Sequence, residues 1–259
     1  MPSRDSRDDT HVILPGEPPL QVALRRSARL RRLSLRVSRL DGRITVSVPG
    51  RVGTRQVMDF LHAQEGWLRG TLAALPSPVA VVPGAQVLVR GEWLRITPGA
   101  TRAIRVEAPL LQVPADPGGQ QTGVRLQAWM TLQARAALAA ASDRHAAQLG
   151  QGYARIQLRD TRSRWGSCSS DGRLMYSWRL IMAPPSVLDY VAAHEVAHLV
   201  EMNHSPAYWR IVARLRPDHA EARAWLRQHG HALHRFDFRP GAGAAAPDGA
   251  APPMTGAAP

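Results

Sequence analysis

The stretch that decides the reading is Asp189-Tyr190-Val191-Ala192-Ala193-His194-Glu195-Val196-Ala197-His198, with His204 six residues further on. On a helix, residues four apart lie nearly one above the other. His194 and His198 can therefore point two imidazoles at one metal ion. Glu195 stands about 100° round the axis. It fits poorly into the same tetrahedron, but it reaches a water held by the metal. A catalytic zinc keeps its fourth position for that water, and a neighbouring carboxylate takes the proton. The pattern predicts a zinc site carrying its own general base.

Working outward, Ser186 and Asp189 form an S-x-x-D capping pattern that places the helix start just after Pro184 and Pro185. Beyond the helix, a straight path would carry residue 204 about 9 Å past His198, so a third ligand there requires the chain to turn back. Metzincin proteases share this histidine spacing but turn at a glycine. Glu201 occupies that place here, and the only later methionine, Met254, lies in a low-complexity tail, which argues against a metzincin. Asn203 is the residue best suited to a left-handed turn. The helix is expected to end near Met202, with Asn203 swinging His204 to the metal. Glu221, on a separate predicted helix from Asp218 to His229, is the rival third ligand. The affinity of imidazole for zinc and the local turn favour His204. His219, His229, His231 and His234 lack a comparable spacing and read as solvated or packing residues.

The chain has 259 residues and a net charge of +13, and all 33 basic residues are arginine. Abundant Ala, Gly and Pro point to codon bias for most of them. The densest cluster, Arg25, Arg26, Arg29, Arg31, Arg32, Arg36 and Arg39, is the best candidate for a nucleic acid, nucleotide or acidic partner. Cys168 is the sole cysteine, so no intrachain disulfide forms. No stretch of 18 apolar residues spans a membrane, and the polar N-terminus lacks a signal-peptide core. A cytoplasmic protein is expected.

Residues 1–19 are expected to be disordered, 20–121 to form a β-rich portion with one helix, 122–238 to form the metal-binding core, and 239–259 to be a disordered Ala/Gly/Pro tail. Alternation over 31–48 around Asp41-Gly42 predicts a β-hairpin. Thr54 can cap a helix to about Leu75, and short strands follow between Val79 and Val113. Pro114 to Gly123 reads as a linker-like loop. A helix from about Val124 ends at Gly150, and a strand covers Arg155–Arg159. Gly172 to Ile181 alternates as another strand. Ser205-Pro206 and Asp218 each open a further helix.

Several segments together carry a family resemblance: Arg164-Trp165-Gly166-Ser167-Cys168-Ser169, Trp178-Arg179-Leu180-Ile181, Ala183-Pro184, Asp189-Tyr190-Val191, the His194–Leu199 run, Asn203-His204-Ser205 and Tyr208-Trp209. They resemble the bacterial YgjP-like metallopeptidases, related to the SprT-like and WLM proteases. The resemblance covers about Leu20 to Phe236. It implies an α+β, zincin-type metallopeptidase domain, zinc held by His194, His198 and His204, and Glu195 as general base. Ser177, where asparagine is usual, and Tyr208, where phenylalanine is common, depart from the pattern without touching those ligands.

A zincin cleft needs a strand whose free edge can pair with an extended peptide, and Gly172–Ile181 or Arg164–Ser169 could supply it. Arg164 or Tyr208 could hold a developing oxyanion; for Arg164 a packing or salt-bridge role is the alternative. Cys168 reads as a small packing residue. The leading expectation is a zinc-dependent endopeptidase. One alternative is a metal-dependent hydrolase of a phosphoanhydride such as a nucleoside triphosphate, with Arg164 and Arg179 clamping phosphate. Another, suggested by the related families, is a DNA-associated protease acting on nucleic-acid-bound proteins.

Overall fold

The computed structural model describes residues 10–38, 42–75, 77–100, 102–118 and 120–241. Two compact units divide between Ser77 and Pro78. The expected boundary at 121 therefore falls inside the second unit.

In the first unit, β1 (Thr10–Leu14), β2 (Leu20–Ser27), β3 (Ser34–Val37) and β4 (Ile44–Pro49) form one sheet in the order β1-β2-β4-β3. The β3–β4 pair is antiparallel, as the alternation at 31–48 predicts; Asp41 lies outside the described residues. β1 corrects the expectation that everything before residue 20 lacks order. Its Val12 and Leu14 are opposite Val22 and Leu20 of β2, so the strand completes an apolar face. Residues 1–9, and the tail from 242, lie outside the described residues. The predicted single helix is two, α1 (Thr54–Ala63) and α2 (Glu65–Ala73). The chain breaks at Gln64, whose N–H falls back on the carbonyl of Leu61. Gly53 rather than Thr54 is the cap of α1. Val57, Leu61 and Leu68 of these helices share a core with Val22, Leu24, Ile44, Val46 and Val48 of the sheet.

In the second unit, β5 (Val79–Ala80) pairs with a late strand. β6 (Gln86–Val89), β7 (Glu92–Gly99), β8 (Arg105–Glu107) and β9 (Leu110–Pro114) form a sheet in the order β6-β7-β9-β8. Its Val87, Leu94, Ile96 and Leu111 share one core with α3 (Thr122–Leu149), which is why no boundary falls at 121. The linker-like loop is instead a cap: Asp116 Oδ2 accepts the N–H groups of Gln121 and Thr122 at 2.7 and 2.8 Å. α3 buries Leu126, Met130, Ala134, Leu138, Ala141 and His145 along one stripe. It stops at Gly150, whose φ of 64° suits a left-handed cap.

β10 (Arg155–Arg159), β11 (Gly166–Cys168) and β12 (Arg173–Ser177) form a second sheet, in the order β10-β12-β11. The strand predicted to run to Ile181 ends at Ser177. Trp178–Met182 coil into a 3₁₀ turn and are buried on every side, where a period of two no longer separates core from solvent. Then follow α4 (Pro185–Ala197), α5 (Pro206–Leu215), α6 (His219–His229) and β13 (Phe236–Asp237), which runs parallel to β5.

Candidate metal centre

α4 is apolar nearly all round: Val187, Leu188, Tyr190, Val191, Ala192, Ala193, Val196 and Ala197 are buried. Its start is not the predicted serine cap. Pro185 sits in the first turn and Pro184 is the cap residue, with no side-chain cap bond. Asp189 is drawn away to other partners. It accepts from Arg144 at 2.7 Å, from Arg216, and meets His145 Nε2 at 3.2 Å. Burial alone would push the Asp189 carboxyl up; the His145 and Arg216 contacts outweigh it and hold the carboxyl at about 2.

α4 ends at Ala197, earlier than predicted, and His198 is its cap. Asn203 does not take the left-handed conformation expected of it; Arg90 is the only non-glycine residue with positive φ among the described residues. The turn is built from Glu201. Its carbonyl accepts from His198 Nδ1 at 3.0 Å, and its carboxylate accepts the N–H of Asn203 at 3.3 Å. No glycine is needed because the backbone never enters the glycine-favouring region. Ser205 then caps α5 through the Tyr208 N–H, with Pro206 in the first turn, as predicted.

This turn brings His204 back to the helix. The ligand atoms of His194, His198 and His204 all lie within 4.8 Å of one another, and the Nε2 atoms of His194 and His204 are 3.2 Å apart. Two nitrogens bound to one tetrahedral zinc at about 2.05 Å each stand about 3.3 Å apart, so the observed spacing fits such an ion. Burial first, then the neighbouring His198, His204 and Arg223, push His194 down to about 3. Burial also lowers His198, opposed by its bond to Glu201. Both rings are thus neutral, the form that binds metal. The Glu201 carbonyl holds the proton of His198 on Nδ1 and frees Nε2, a typical outer support for a metal-binding histidine. Glu221 is exposed on α6 and does not join the cluster.

Glu195 is 5% exposed and lines a cavity of about 430 Å³ with His194, His198, His204, Arg164 and Cys168. Burial raises its carboxyl to about 8, against the pull of Arg164 and of the Cys168 backbone. A Cβ on Gly166 would stand 2.4 Å from Glu195 Oε1, so only glycine lets β11 lie this close. β11 is the edge of its sheet, beside α4. Neither the Gly166 approach nor the Glu201 anchor has a local sequence signal, because both are contacts between backbone and distant side chains.

Two candidates change role. The Tyr208 side chain is fully buried, stacks on His198 with centroids 4.5 Å apart, and donates its hydroxyl to the His194 carbonyl at 2.9 Å. Its single proton is spent there, which corrects the expectation that it faces an oxyanion. Arg179 is 7% exposed; it donates to Asp160 at 2.7 and 3.0 Å and to the carbonyls of Leu233 and Phe236. It ties the Leu233–Phe236 segment to the core with four of its five N–H groups and does not line the cavity, so it is not placed to clamp a phosphate there. Arg164 is exposed and on the cavity wall. Burial, then Glu195 and Asp171, raise the Cys168 thiol to about 11, which suits a packing residue and not a thiolate nucleophile.

Three converging imidazoles are placed to hold a metal ion, and a buried glutamate shares their cavity. The chain belongs to the YgjP-like metallopeptidase family: the family described as "YgjP-like, metallopeptidase domain" matches residues 31–229. Its activity is therefore that of a metal-dependent peptidase, and its substrates are proteins or peptides. The chain is also similar to the metallopeptidase zymogen abylysin of Pyrococcus abyssi, at 19% identity over 35% of this chain and 93% of that one, with a TM-score of 0.32. A likeness of that extent carries no weight for the fold. No curated protein matches. Among the described residues, no helix is long and apolar enough to cross a membrane.

Proposed function

We propose that this protein is a zincin-type, zinc-dependent endopeptidase in which His194, His198 and His204 hold the ion and Glu195 is the general base. The observation that carries this reading is the convergence of three imidazoles whose ligand atoms lie within 4.8 Å of one another, on the wall of the cavity that also holds Glu195. When bound, zinc lowers the pKa of a coordinated water and polarises a carbonyl oxygen. Glu195 accepts the proton of the attacking water and returns it to the departing amine. A cation beside Glu195 favours its ionised form, offsetting the burial that raises its carboxyl. Arg164, on the cavity wall, is placed to stabilise negative charge on the carbonyl oxygen. The free edge of β11 supports an extended peptide by strand addition. Tyr208 acts indirectly, holding the His194 carbonyl and the His198 ring in place.

Phosphoanhydride hydrolysis loses one of its two clamps, since Arg179 is buried, bonded through four of its N–H groups, and absent from the cavity wall. The test combines metal analysis with peptide-library cleavage by the wild type and Glu195→Gln. The variant is expected to retain zinc and lose about 10²–10⁴-fold in kcat. Near wild-type turnover by the variant would refute the assignment.

A further inference from the structure

The first unit carries a surface that the metal centre does not use. Between Val22 and Arg55 the sequence holds one acidic residue, Asp41. The topology gathers several arginines of this stretch towards one end of the sheet. β2 and β4 are parallel and β3 runs back against β4, so the end of β2, the end of β4 and the start of β3 lie side by side. Arg29, Arg31 and Arg32 lie in the connection from β2 to β3, and Arg51 follows β4. Arg25 and Arg36 stand on the sheet itself. In β2, Leu20, Val22 and Leu24 face the core, so Arg25 points to the opposite face; in β3, Leu35 and Val37 pack inward, so Arg36 does the same.

All six of these arginines are exposed, and none forms an ion pair among the described residues. Cross-strand pairing places Ser34 and Ser47 in the row of Arg25, and Thr45 in the row of Arg36. These short hydroxyl donors leave the arginines unobstructed. The face carries no Phe, Tyr or Trp, and its one aromatic ring is the imidazole of His11: Phe60 and Trp67 are on the helices that cover the other side. Codon bias accounts for arginine in place of lysine. It does not account for the gathering of unpaired arginines on one surface with acids left out.

We propose that this end of the first unit binds the phosphate backbone of duplex nucleic acid without reading its sequence. Arginine and hydroxyl groups are phosphate donors. Single strands are held by stacking successive bases on aromatic rings, and this face offers only the single imidazole of His11. A membrane surface would want apolar anchors beside the charge, and Ile13 is the one large exposed apolar residue of the sheet.

The full-length protein is titrated into a labelled random duplex, and anisotropy is followed at several salt concentrations. If about five phosphates are neutralised, log K falls with log salt with a slope of about −4.5, or about 500-fold between 50 and 200 mM. In the double variant Arg25→Gln/Arg36→Gln the slope is expected to shrink to about −2.7, so that the same salt step costs about 40-fold. Arg135→Gln/Arg155→Gln, exposed positions of the second unit, should leave the slope unchanged. Thermal melts confirm folding, and Arg29→Gln/Arg31→Gln replaces the first pair if it does not fold. No duplex binding at 50 mM salt would overturn the proposal. So would an unchanged slope in the sheet variants, tighter binding of oligo(dT) than of duplex, or binding to anionic vesicles alone. Because the readout is binding, failure here leaves the peptidase reading intact.

Discussion

Replacing Gly166 with alanine tests the geometry around Glu195 without touching any histidine. Gly166 is not among the residues with positive φ, so the backbone accepts alanine and the effect is steric. The added Cβ would stand 2.4 Å from Oε1, 2.6 Å from Cγ and 2.7 Å from Cδ of Glu195. Ordinary contact with such atoms is about 3.4 Å or more, so β11 or the carboxylate must yield by about 1 Å. Glu195 is 5% exposed and has little room to swing. A misplacement of that size costs on the order of 10²-fold in rate, and overpacking of this kind about 1–3 kcal/mol in stability. The assay is kcat/KM on a cleaved peptide, with zinc content measured alongside. We expect a loss of about 100-fold with zinc retained. Activity within a few fold of wild type would show that the Glu195 carboxylate does not work from this position.

His204→Ala should release zinc in a competition assay with a chelator, whereas Glu221→Ala should leave the affinity near wild type; the reverse would move the third ligand. Tyr208→Phe leaves the His194 carbonyl unpaired and should cost about 1–3 kcal/mol in denaturant unfolding. Its kcat should fall less than the 10²–10³-fold expected if the hydroxyl were an oxyanion donor, and a larger fall would restore that role. The Asp189 carboxyl, held at about 2, contributes stability above the ordinary carboxylate pKa that is lost as pH falls towards 2. The difference corresponds to about 2.5 kcal/mol. Asp189→Asn should therefore narrow its stability gap to wild type between about pH 4 and pH 2 in chemical denaturation, and a constant gap would refute the linkage.

Much of this protein is legible from local pattern. His194, Glu195 and His198 announce a metal centre because helical geometry is the same everywhere, so a spacing of four translates directly into shared direction. The stripe of α3, the β3–β4 pair and the Ser205-Pro206 start of α5 follow from equally local rules. The turn that delivers His204 was read from Asn203, yet it depends on Glu201, whose carbonyl and carboxylate meet His198 and Asn203 across the turn. Asp189 looked like a cap; its partners lie on α3 and just past α5, far away in the chain. Tyr208 and Arg179 looked available for chemistry until burial and hydrogen bonding claimed their donors. Local spacing, set by backbone geometry alone, determined which residues could bind a metal. Which side chains stay free to act was decided only when distant segments came together, because a donor's partners are chosen by three-dimensional proximity and not by order along the chain.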